Sequence, residues 1–192
     1  MLMALACHGT LIAASDKWSE RMTTKRFDGA MLARELARCE QTGAIGHVTI
    51  EYWVGGGLPP PNYRSEQLRM FATTTGTVLE FAKVIWDKNY DPPNLHQKWT
   101  IPATPEDVRQ LAHLLSTSGL LTIAANPPRP TDRPDAIARE FIVGVKDTTE
   151  MTVRFEQPAE VPQALLQHVE GLVKRVQASA QPVLFHQGKP LK

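Results

Sequence analysis

The run His47-Val48-Thr49-Ile50-Glu51-Tyr52-Trp53-Val54 decides how this chain is read. Val48, Ile50, Tyr52 and Val54 alternate with His47, Thr49, Glu51 and Trp53. A period of two marks a strand buried on one side and solvated on the other. Gly55-Gly56-Gly57, followed by Leu58 and Pro59-Pro60-Pro61, then breaks the strand.

Working downstream, Arg64–Thr73 predicts a second strand, with Leu68 and Met70 on one face, and Val78–Trp86 a third. Thr74-Thr75-Gly76 supplies the turn between them. The three form an antiparallel meander. Asp87–Ile101 has the composition of an ordered loop, with Asp91-Pro92-Pro93 and Trp99. A helix follows: Thr104 can cap it, Pro105 suits its first position, and Glu106 and Asp107 face the positive end of its dipole. Its apolar face is Val108, Leu111, Ala112, Leu114 and Leu115, and Gly119 ends it. Asn126–Pro134, with four prolines, predicts a surface loop. A strand over Ile137–Lys146 turns at Asp147-Thr148-Thr149 and returns through Met151, Val153 and Phe155. The last helix spans Val161–Val176, with a stripe of Leu165, Val169, Leu172, Val173 and Val176.

The expected fold is therefore α+β: an antiparallel sheet of about five strands with two helices on one face, in the order β-β-β-α-β-β-α. Upstream, residues 1–58 contain no proline and all fifteen follow. Asp28 can cap a helix carrying Leu32, Leu36 and Cys39 on one face, and Gly43 can stop it. The predicted division is an N-terminal extension over 1–45, helical over 28–41 or disordered, a single domain over 46–178, and a flexible tail over 179–192. The N-terminal helix reads either as packing on the domain or as a docking and assembly device.

Length and composition allow this. A chain of 192 residues, 42% of them hydrophobic, can build a core without disulfides or a structural metal. Its two cysteines, Cys7 and Cys39, form no metal-binding or redox motif. A net charge of +1 offers no basic surface and argues against nucleic acid as a partner. Met1–Cys7 lacks a basic residue before a short apolar stretch, which argues against a leader peptide. No run approaches the ~20 apolar residues of a membrane span. The expectation is a soluble cytoplasmic protein without membrane contact, with secretion left open.

Chemical motifs are sparse. The glycine triplet is followed by prolines, which supply no N–H donors for a phosphate. Neither GxSxG nor HExxH occurs, and no histidines pair at i, i+4. No motif calls for a cofactor. Asp87, Asp91 and His96 form the one cluster of oxygen and nitrogen ligands, so a small metal-dependent hydrolase is one alternative; Asp87 and Asp91 serve equally well as turn builders. The stretches 55–63 and 86–99 combine glycine, proline and large aromatics. They read either as recognition loops, in which stiff backbone and aromatic area bind at low entropic cost, or as covers in which Trp86 and Trp99 close the end of the core.

Ile50-Glu51-Tyr52-Trp53-Val54-Gly55-Gly56, a strand ending in Gly-Gly, resembles the opening of emfourin-like domains. Pro105–Leu111 through Ser118–Leu121 resembles their helix, and the later strand pair and final helix follow in similar order. The resemblance spans 47–176 and is one of pattern. Gly57, Pro59-Pro60-Pro61, the long Trp86–Trp99 segment and the first 45 residues depart from it. It implies a small protein inhibitor of thermolysin-type metalloproteases. The functional expectation is thus a non-catalytic protein-binding module, with a metalloprotease as one implied partner and a structural or assembly role as another alternative. The expected contact surface lies at one end of the sheet: Trp53, Gly55, Gly56, Gly57, Pro59, Pro60, Pro61, Tyr63 and Tyr90.

Overall fold

The computed structural model describes residues 27–56, 64–89, 94–126, 137–146 and 148–191. The alternating run becomes β1 (Val48–Gly56), paired on one side with β2 (Arg64–Thr73) and on the other with β5 (Ile137–Val145). β2 leads into β3 (Gly76–Trp86), and β3 pairs with β4 (Asn94–Pro102). β6 (Thr149–Phe155) lies outside β5; β7 (Val183–His186) pairs with β4 and β8 (Lys189–Pro190) with β7. The result is one eight-stranded, wholly antiparallel sheet in the order β6-β5-β1-β2-β3-β4-β7-β8.

The register explains where the core sits. Tyr52 lies between Leu68 and Phe141, Ile50 between Met70 and Val143, and Phe81 between Leu68 and Trp99. All are buried and all project to one side. Among the described residues four helices close over that side: α1 (Gly29–Thr42), α2 (Pro105–Thr117), α3 (Leu120–Ala125) and α4 (Gln163–Ser179). Leu32, Leu36, Leu111, Leu115, Leu120, Leu165 and Val169 join the strand residues in one apolar cluster. Within it the Tyr52 and Phe141 rings are 4.9 Å apart, and Phe155 meets Phe141 edge-on at 6.4 Å.

Local chemistry fixes the helix ends. Asp28 Oδ1 accepts from the Met31 N–H at 2.9 Å, and Gly43, at φ 68°, closes α1 in the left-handed conformation. The Thr104 hydroxyl accepts from the Asp107 N–H at 3.2 Å, while Asp107 Oδ2 accepts from the Thr104 N–H at 2.7 Å. Arg175 of α4 then grips both Asp107 oxygens at 2.7 Å, tying α4 to the start of α2. Burial alone would raise the Asp107 pKa. The bonds from Arg175 and Thr104 outweigh it and hold the carboxyl below its usual value.

The expectation of about five strands and two helices in the order β-β-β-α-β-β-α is overturned. The segment read as an ordered loop contains β4, in which Leu95, Gln97, Trp99 and Ile101 alternate with His96, Lys98 and Thr100. Residues 183–190, assigned to a flexible tail, form β7 and β8 around a turn at Gln187-Gly188. The six-residue α3 adds a helix. The division at residue 46 separates nothing physically: Leu32, Leu36 and Cys39 of α1 are fully buried in the common core. The Asp28 N–H also donates to Thr149 Oγ1 of β6 at 2.8 Å. That stripe is core packing.

Candidate functional site

Among the described residues, no helix covers the other side of the sheet. Here the pleat presents Glu51, Arg69, Glu80 and Lys98 on successive strands, with the sign of charge alternating. Arg69 Nε lies 3.3 Å from Glu51 Oε1, Lys98 Nζ lies 2.6 Å from Glu80 Oε2, and Gln67 donates to Glu51 at 2.7 Å. Glu140 of β5 lies beside Trp53 and is only 6% exposed. Burial pushes its carboxyl pKa up, and Arg154, at 3.4 Å, partly offsets that.

Toward one end of this open side the composition turns apolar. Trp53 lies half-buried, with its ring against Gly55; a Cβ at position 55 would run into the ring. Gly55 therefore gives the indole its seat, a close approach that only glycine permits. Ala82 and Val84 follow on β3, and β3 ends in Trp86, which is 57% exposed. Val183 of β7, the partner of Lys98, is also exposed on this side, whereas the exposed Ile137, the register partner of Gly56, lies on the helix-covered side with Phe141 and Val143. The strand ends Gly56, Arg64, Trp86, Asn94 and Ile137 lie at this end, and in sequence they are adjoined by the connections 57–63, 87–93 and 127–136. These connections hold Pro59, Pro60, Pro61, Pro92, Pro93, Pro127, Pro128, Pro130 and Pro134.

The sequence-derived candidates divide accordingly. Trp53, Gly55 and Gly56 meet at the end of β1, where Gly56 takes φ 113°. Gly57, Pro59, Pro60, Pro61, Tyr63, Tyr90 and Asp91 lie outside the described residues. Asp87 Oδ1 accepts from the Asn89 N–H at 2.9 Å and so builds the turn after β3. His96 is exposed on β4 opposite Val84 and Phe185. Among the described residues no three His, Cys, Asp or Glu side chains cluster as a metal site would require. The two tryptophans read as alternative covers of the core part company: Trp99 is buried against Phe81, at 5.5 Å, whereas Trp86 faces solvent. Strand parity carried this signal. Counting forward from the buried Leu79 and Phe81 puts Trp86 on the opposite side.

The core encloses a cavity of about 10 Å³, lined by Ile50, Tyr52, Leu68, Met70, Leu111, Phe141 and Val169. It has room for about one water molecule and none for an organic substrate. No described helix is long and apolar enough to cross a membrane. Compared with known proteins, the chain matches no family model, no curated protein and no solved structure.

Proposed function

We propose that this chain is a non-catalytic protein-binding module whose contact surface is the apolar end of the open sheet side, centred on Trp53 and Trp86. The observation that carries the reading is Trp86 at 57% exposure, on the same side as Trp53 and at the end whose strands adjoin the three proline-bearing connections in sequence. An indole left this far in water forgoes much of its burial free energy, and tryptophan is the residue type most enriched among interface anchors. The seat at Gly55 holds Trp53 in one orientation, which lowers the entropic cost of contact. The charge lattice beside it supplies a polar border.

The resemblance to emfourin-like domains makes a thermolysin-type metalloprotease the first partner to try. The test compares wild type with Trp86→Ser in capture of such a protease encoded beside the gene, and in slowing its hydrolysis of a peptide substrate. The expected result is a complex at micromolar protein that weakens by about 30-fold or more in the variant, the loss typical of an aromatic anchor. The melting temperature should stay close to wild type, because Trp86 supports no core contact. Equal capture by both proteins would remove Trp86 from the surface. No complex with any such protease would remove the inhibitor version.

A further inference from the structure

The two outer strands of the sheet are finished differently. β8 is two residues long, Lys189 and Pro190, and both a charged side chain and a proline discourage a further strand. β6 runs for seven residues, Thr149-Glu150-Met151-Thr152-Val153-Arg154-Phe155, without proline or glycine. Among the described residues no strand lies outside it. A strand of this length with an open edge is a template for pairing.

Its side chains select what pairs there. Glu150, Thr152 and Arg154 share the open side, since their partners on β5 are Gly144, Ile142 and Glu140. Glu150 and Arg154 stand at equal distances on either side of Thr152. We infer that β6 is a self-recognition edge, on which a second copy of this chain adds its own β6 antiparallel about Thr152 to form a continuous sixteen-stranded sheet. In that register Glu150 of each copy lies across from Arg154 of the other, so a two-fold axis creates the charged pair twice. On the covered side, Met151 of each copy meets Val153 of the other. α3 flanks the same strand. Its sequence is Leu-Leu-Thr-Ile-Ala-Ala, yet only Leu120 is fully buried, while Leu121, Ile123 and Ala124 remain half-exposed and available to the second copy. A one-residue slip would put like sides on opposite faces and lose both charged pairs.

The experiment measures the mass of the full chain in solution by sedimentation equilibrium, for wild type, Glu150→Lys, Arg154→Glu and an equimolar mixture of the two variants. Wild type is expected to be dimeric at micromolar concentration. Each variant alone places like charges opposite each other twice and should weaken association by roughly tenfold or more. The mixture should recover dimer, because one variant then meets the other with opposite charges. Arg154→Glu leaves Glu140 beside a second carboxylate; should it fail to fold, Glu150→Lys, whose register partner on β5 is Gly144, still reads the effect. Hydrogen exchange gives an independent reading: amides of 150–154 should be slowed by raising wild-type concentration. A wild-type chain that stays single at all soluble concentrations would overturn the proposal. So would a dimer that Glu150→Lys leaves intact with unchanged exchange in β6.

Discussion

The two sides of the sheet share one backbone but answer to different physics. On the helix-covered side Tyr52, Phe141 and Phe155 pack ring against ring, and burial is complete. On the open side Glu51, Arg69, Glu80 and Lys98 hold one another through charge. The covered side holds the fold together. The ion pairs of the open side contribute little to stability, because partly exposed pairs are weak. That difference can be broken or sharpened by substitution.

The largest effect belongs to Phe141, fully buried at the centre of the covered side. Phe141→Ala should cost about 3–5 kcal/mol in urea unfolding, through lost transfer free energy and the cavity left behind. A cost under about 1 kcal/mol would mean that the cluster is not the core.

Asp107→Asn comes next, with an expected loss of about 2–3 kcal/mol at neutral pH, because it strips the charge from a buried carboxylate bonded to Arg175 and Thr104. The sign with pH follows from the direction of the shift. A carboxyl whose folded pKa lies below its unfolded value of about 3.9 contributes stability above that value and loses it as pH falls through the folded pKa. The difference between wild type and Asp107→Asn should therefore shrink below about pH 4. A gap that stays constant into acid would show that the charge is not what stabilises.

Glu140→Gln, on the open side, should change stability by less than about 1 kcal/mol, and the direction with pH is reversed. Here the folded pKa is raised, so the ionised wild-type group opposes folding as pH rises above the unfolded value of about 4.3. Relative to wild type, the variant should gain stability between about pH 4 and neutrality. Urea unfolding at several pH values reads both carboxyls, and parallel behaviour would erase the contrast between the two sides.

The sequence disclosed these parts unevenly. β1 was legible because its alternation is local, and α2 because Thr104, Pro105 and Asp107 lie within four positions of one another. β4 carries equally clear alternation, but Pro92-Pro93 and two tryptophans nearby favoured a loop. β7 is four residues long and gains its place from β4, some eighty-five positions earlier, a pairing no local pattern encodes. The stripe on α1 was visible, but nothing nearby said that its partners would be α2, β5 and β6. For the candidate site, the glycine run beginning at Gly55 marked the end of β1. The seating of the Trp53 ring on Gly55 and the exposure of Trp86 depend on strand parity and pleat, which follow only once the register is known.

The position of β1 has a consequence for the order of assembly. One of its neighbours, β2, follows within a few residues, so that pairing can form as soon as the first half of the chain exists. The other, β5, brings Val145 against Val48 from almost a hundred residues downstream. A ribosome that has released β1 to β4 has made a meander whose first strand still shows one bare edge, and it must synthesise α2, α3 and the 127–136 connection before that edge is covered. The strand made first is completed late, and through that interval the nascent chain is most exposed to wrong partners.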